Sequence, residues 1–216
     1  MLFRSAPQGW MGAIRTDGAL FTWGGNVNGQ LGNSGSAASV SSPIQIGTSS
    51  WTQLALGDAH GLALRTDGGL FTWGLNDNGQ LGNNNGVQIA FSSPAQVGTS
   101  SWINVSAGQS FSVAQKTDYT LWAWGFNTDG ELGINTASVA TLSSPVQVAT
   151  LYGPWQFVAG EKHTVQIDKS YGAMYGHGLN TTGQLGLNDT NPRSSPTQVA
   201  SGVNYSYVVK IGRAHV

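Results

Sequence analysis

Histidine is the residue type here best suited to acid–base or metal chemistry, and there are four: His60, His163, His177 and His215. A metal centre needs converging donors, and a proton shuttle needs an imidazole. His60 and His163 hold the same place in a recurring pattern, and the matching places hold Trp10 and Phe111. A position that takes His, Trp or Phe demands a flat packed ring, not a ligand or a base. His177 stands where other copies have Trp23, Trp73 and Trp124, so the same argument covers it. The carboxylates are scattered. Asp17 and Asp67 sit in Asp-Gly turns, and Asp77 and Asp129 flank further glycine turns. "NDNG" and "NTDGE" share letters with a calcium loop but lack its spacing and its distal bidentate Glu. "GTSS" has no lysine and no helix after it, so it is no phosphate loop. With no cysteine there is no thiol nucleophile, disulfide or Cys-ligated zinc. The expectation is a chain with no catalytic residues, cofactor or metal, and not an enzyme. Four glycosylation triplets, at Asn104, Asn180, Asn188 and Asn204, are expected by chance in so Asn/Ser/Thr-rich a chain.

What positions these residues is a repeat. "LFTWGGNVNGQLG" at Leu20 returns as "LFTWGLNDNGQLG" at Leu70, and a Gly-x-Leu-Gly core falls at Gly29, Gly79, Gly130 and Gly183. The intervals are 50, 51 and 53 residues. Asn26, Asn76, Asn127 and Asn180 each precede that glycine by three; Gln30, Gln80 and Gln184 follow it, with Glu131 in the third copy. Each copy continues to Ser-Ser-Pro, at Pro43, Pro94, Pro145 and Pro196, and an aromatic opens the next segment at Trp51, Trp102, Trp155 and Tyr205. A fixed period of this length marks a repeat architecture.

One period reads as four short strands: "SSPIQIG", "WTQLALG", "GLALRT" and "LFTWG". They alternate, are rich in β-branched and aromatic residues, and are bounded by turn residues. Asp17-Gly18 and Asp67-Gly68 signal two-residue hairpins, and Asp118-Tyr119 in the third copy predicts a different turn there. A four-stranded sheet with two apolar faces needs a neighbour on each side. Radial stacking supplies them, so the fold class is all-β, a β-propeller of four-stranded blades. The packing reading extends to Trp23, Trp73 and Trp124, one ring per copy between blades. The repeats run approximately over 11–60, 61–110, 111–163 and 164–209 of a region spanning 1–209.

Charged residues make up 9% of the chain, against roughly 25% in an average domain, and nine basic side chains nearly cancel ten acidic ones. No Lys/Arg run exists, which excludes a nucleic-acid partner read through phosphates. No apolar run reaches the roughly 20 residues of a membrane span.

The stretch "GDAHGLALRTDGGLFTWGLNDNGQLG", Gly57 to Gly82, resembles the regulator of chromosome condensation repeat family, and the resemblance runs from about Gly12 to Val209. It implies a propeller typically of seven blades, so four copies are expected to be an incomplete fragment of the ring. By the same register Ile211 stands where a glycine is due and Ala214 where an aromatic is due. The tail "KIGRAHV" also translates a sequencing-adapter DNA, so residues 210–216 are expected to be non-native. The founding member's activity, guanine-nucleotide exchange on a small Ras-like nuclear GTPase, is the alternative function the resemblance implies. No copy here carries a long wedge-like insertion.

Between Leu-Gly and Ser-Ser-Pro the copies diverge: "NSGSAASV", "NNNGVQIAF", "INTASVATL" and "LNDTNPR". Variable loops on fixed strands build recognition surfaces. The expected function is therefore a non-enzymatic scaffold binding another protein or a cell-surface macromolecule through loops on one face. Val87, Ile89 and Phe91 are the candidate anchors. The low-charge surface favours an extracellular, cell-surface or virion-associated setting.

Overall fold

The computed structural model describes residues 2–5, 9–35, 38–84, 86 and 90–209, with the backbone alone at 2–5 and 149–152. Among them are sixteen strands and no helix. Four antiparallel sheets form, each in chain order. The first holds β1 (Leu2–Ser5), β2 (Trp10–Ile14), β3 (Leu20–Gly24) and β4 (Val40–Gln45). The second holds β5 (Trp51–Leu56), β6 (His60–Arg65), β7 (Leu70–Gly74) and β8 (Phe91–Gln96). The third holds β9 (Trp102–Ala107), β10 (Phe111–Lys116), β11 (Thr120–Phe126) and β12 (Thr141–Tyr152). The fourth holds β13 (Trp155–Ala159), β14 (His163–Asp168), β15 (Met174–Gly178) and β16 (Arg193–Val199). The Ser-Ser-Pro strand closes a sheet: Phe21 pairs with Gln45 and Phe71 with Gln96. The sheet unit therefore starts at the aromatic of Trp51 or Trp102 and not at the Ser-Ser-Pro strand.

The core is three layers, one between each pair of successive sheets. Trp10, Leu20, Leu31, Trp51, Leu54 and Trp73 fill the first. Leu62, Leu70, Trp102 and Trp124 belong to the second, and Phe111, Leu121, Leu132, Trp155 and Phe157 to the third. This is the burial a two-faced sheet requires: each layer takes rings from two copies. The first strands of neighbouring sheets touch each other, while β4 and β8 are largely exposed, so the sheets radiate from their first strands outward. In each sheet the register of the third and fourth strands slips at Trp23, Trp73, Trp124 or His177. A bulge re-aims the side chain it carries. In the second and third sheets it turns the ring against the loop of the preceding sheet, where Trp73 Nε1 donates to Gln30 O at 2.7 Å and Trp124 Nε1 to Gln80 O at 2.9 Å.

The hairpins between second and third strands depart from the two-residue expectation. Gly18 N donates to Arg15 O and Arg15 N to Ala19 O, both at 2.9 Å, which closes a three-residue loop. Only its glycine has positive φ (88°), the signature of a type I turn followed by a bulge. Asp17 and Asp67 accept from the amide two residues on, which fixes the turn from within. The third hairpin keeps this geometry despite losing its glycine. Tyr119 takes φ 66° and donates to Lys116 O at 3.0 Å, so the turn is the same and the residue is the exception.

Candidate functional site

The loops after the third strands, over 25–39, 75–90, 127–140 and 179–192, emerge at one end of the sheets; the hairpins between second and third strands lie at the other. The base of each loop is built the same way. Asn26, Asn76, Asn127 and Asn180 are fully buried, and their Oδ1 atoms accept from the amides of Leu31, Leu81, Leu132 and Leu185 at 3.0–3.1 Å. Their Nδ2 groups reach across the loop: Asn76 donates to Gly86 O at 2.8 Å, Asn127 to Thr136 O and Val139 O, and Asn180 to Asp189 O. A buried amide that satisfies both sides of a loop fixes its base whatever the tip contains. It also removes Asn180 from the set of accessible glycosylation triplets.

The motif glycines do a second job that spacing alone does not reveal. Gly29, Gly79 and Gly130 have φ of 72°, 76° and 86°, and a Cβ there would lie 3.0, 2.7 and 2.6 Å from the Cα of Ser92, Ser143 and Ser194 in the next sheet. Beside them Ser34, Asn84 and Asn135 donate their amides to the carbonyls of those same serines at 2.7–2.9 Å. Loop and Ser-Ser-Pro strand thus lock across the sheet boundary. Gly183 faces no neighbour within 4 Å.

Of the proposed anchors, Val87 and Ile89 lie outside the described residues. Phe91 opens β8, pairs with Gly74 and is half-buried beside the loop of the first sheet. Val27 and Val139, at 77% and 41% exposure, are further apolar side chains on these loops. Trp23 is half-buried, whereas Trp73 and Trp124 are fully covered.

Three of the four ring positions behave as packing sites, and the fourth, His163, is half-buried. Trp10 donates to Asp58 O at 2.9 Å, His60 Nε2 lies 3.1 Å from Ser112 Oγ, and Phe111 is buried. Two titratable groups sit together at the boundary of the third and fourth sheets. Glu131 takes the place of the motif Gln and, like Gln30 with Asn28, accepts from a turn amide, that of Asp129. Burial pushes its carboxyl pKa up, and its Oε1 has no hydrogen-bond partner among the described residues. His177 takes the place of the Trp, and burial, with His163 adding, pushes its pKa down to about 3 against the pull of the Glu131 carbonyl. Sequence reading treated His177 as a ring alone; the signal it missed is that the Trp-to-His and Gln-to-Glu departures meet at one boundary. A groove of about 310 Å³ between the first two sheets is lined by Asn33, Gln45, Trp51, Phe71, Ser93 and Pro94 among others. No titratable side chain lines it. Among the described residues no three His, Asp or Glu side chains are grouped to hold a metal.

Residues 17–64, 67–115, 120–167 and 171–215 match the family model of the Regulator of chromosome condensation (RCC1) repeat. The chain is 32% identical over 213 residues to the human probable E3 ubiquitin-protein ligase HERC6, covering 94% of this chain and 20% of that protein. It is 37% identical over 99 residues to human HERC3, also a probable E3 ubiquitin-protein ligase, covering 45% of this chain and 9% of the relative. The chain therefore spans a fifth or less of these relatives. The crystal structure of Prp20p from Saccharomyces cerevisiae, described with its binding to Gsp1p and histones, superposes with a TM-score of 0.82 at 21% identity, over 93% of this chain and 50% of that one. At that identity the likeness is one of fold: the four sheets are arranged as propeller blades.

Proposed function

Because this chain belongs to the regulator of chromosome condensation repeat family, we propose that it works as a non-enzymatic propeller scaffold that binds another protein through the loops following each third strand. One observation carries this reading. Four loops rise from bases clamped identically by Asn26, Asn76, Asn127 and Asn180, yet differ in length and side chains beyond the clamp. A rigid frame with divergent tips is what selective recognition requires. The apolar side chains of Phe91 and Val139, beside or within two of these loops, supply contact area without free charge.

The test is capture of a protein partner by the intact chain, compared with a Phe91→Ser/Val139→Ser variant. The reading expects capture to fall while the melting temperature stays near that of the parent. Loss of capture only when strand residues are altered would count against it. Acceleration of nucleotide release from a small GTPase would replace the scaffold with an exchange factor.

A further inference from the structure

The opposite end of the sheets carries two departures from the repeat that packing does not explain. At the hairpin tips of the first, second and fourth sheets a glycine occupies the left-handed position: Gly18, Gly68 and Gly172, with φ of 88°, 84° and 71°. In the third sheet that position is Tyr119, at φ 66°. A Cβ is disfavoured there, and burial does not offset it, because Tyr119 is 48% exposed. The fourth hairpin is one residue longer, Asp168 to Met174 against Arg65 to Leu70, and it presents Tyr171 at 77% exposure. Two adjacent blades thus each raise a tyrosine at the tip where the first two raise none. Strain retained at an exposed aromatic points to use rather than to stability.

The two tips are held together. Gln115, buried, donates to Tyr119 O at 3.2 Å and to Gly153 O at 2.7 Å. The next carbonyl, that of Pro154, accepts from Lys169 N at 3.0 Å in the hairpin that carries Tyr171. Among the described residues this surface carries balanced charge, Lys116 beside Asp118 and Lys169 next to Asp168, with no excess of either sign. The Lys116 ammonium sits 3.7 Å from the Trp122 ring centroid, and Asp118 accepts from Thr120. Asp168 accepts from Ser170 N, and Lys169 Nζ donates to Ser206 O at 2.7 Å. Even the tips of the first two sheets pair Arg15 with Asp17 and Arg65 with Asp67. Nucleic acid, phosphopeptides and anionic lipid all need an excess of cations over carboxylates. Rigid tyrosines with low side-chain entropy and one polar tip suit protein surfaces of low charge.

We propose that Tyr119 and Tyr171 form a second recognition surface, at the end opposite the variable loops, that binds an uncharged polypeptide segment. The test is selection of a random dodecapeptide display library on the purified chain, with binding of the selected peptides measured at low and high salt. A neutral-oligosaccharide array is probed in parallel. The expected peptides carry little net charge and bind independently of salt. They lose at least about tenfold in affinity on Tyr119→Gly/Tyr171→Ser and nothing on Phe91→Ser at the other end. Tyr119→Gly should melt no lower than the parent, since it removes a Cβ from a left-handed position; Tyr171→Ser alone, at an exposed tip, should still weaken binding. The proposal is overturned by failure to enrich peptides, by charged and salt-sensitive peptides, by loss of binding on Phe91→Ser, by binding of oligosaccharides alone, or by a Tyr119→Gly variant that melts lower.

Discussion

The indole nitrogen of Trp73 donates to the carbonyl oxygen of Gln30, 2.7 Å away in the loop that follows β3 of the preceding sheet. Ring and carbonyl come from different copies, so the bond ties two sheets and completes the buried layer between them. Trp73→Ala is expected to lose about 3–5 kcal/mol from cavity formation alone. Trp73→Phe should lose less, roughly 1–3 kcal/mol, because the ring largely remains while the Gln30 carbonyl is left unpaired. Urea unfolding followed by far-UV circular dichroism separates the two.

The motif glycines provide a matched pair. Gly79 and Gly183 share a left-handed φ, 76° and 75°, but a Cβ at Gly79 would lie 2.7 Å from Ser143 Cα while one at Gly183 meets nothing. Gly183→Ala should therefore cost only the backbone term, about 1 kcal/mol. Gly79→Ala adds a clash with main chain of the next sheet and should cost clearly more, about 2–4 kcal/mol. Equal losses at the two sites would show that the contact between loop and Ser-Ser-Pro strand carries no stability.

The period, four strands per period and the recurrence of the motif Asn and Trp residues were legible in the sequence, because local alternation and repetition encode them directly; that the Asn side chains are buried and that Trp23 is only half-buried were not. Nor were contacts between copies. Nothing local says that Gly79 presses on Ser143, or that the Ser-Ser-Pro strand pairs backward to "LFTWG" rather than opening the next sheet. Tyr119 shows the converse limit. Its replacement of glycine was visible and predicted a new turn, but the tertiary frame, with Gln115 holding its carbonyl, overrides the local preference. For the loop site, the sequence located the divergent segments and the structure added what anchors them.

Glu131 tests whether repeat consensus is also the stable choice. It is fully buried, its carboxyl pKa is raised chiefly by burial, and Oε1 is unpaired among the described residues. Folding thus favours the neutral acid, and at pH above the raised value the carboxylate is a liability. Glu131→Gln, which restores the residue of the other copies, should stabilise the chain by about 1–2 kcal/mol at pH 7. The gain should shrink as pH falls and the wild-type acid becomes neutral in both states. Thermal melts of the two proteins from pH 7 to pH 4 give the comparison; a gain that grows on acidification would contradict it.

His177 imposes the opposite pH dependence at the same boundary. Burial, reinforced by His163, drops its pKa from 6.5 to about 3 in the folded chain, and the Glu131 carbonyl only partly offsets this. The groups facing it are therefore a second imidazole and a carbonyl, while the Lys162–Asp129 pair, at 3.8 Å, borders the same boundary. Between those two values the unfolded chain carries a proton here that the folded chain excludes. The stability from keeping His177 neutral is complete above pH 6.5 and is lost as pH falls toward 3, at up to about 1.4 kcal/mol per pH unit. His177→Trp, the residue of the other copies, removes this dependence and supplies an indole donor for the Glu131 carbonyl, as Trp73 does for Gln30. Urea midpoints at pH 7, 6, 5 and 4 should therefore fall more steeply for the wild type than for the variant. Parallel curves would mean that His177 takes up its proton without disturbing the boundary, and that its burial is not what sets the acid response.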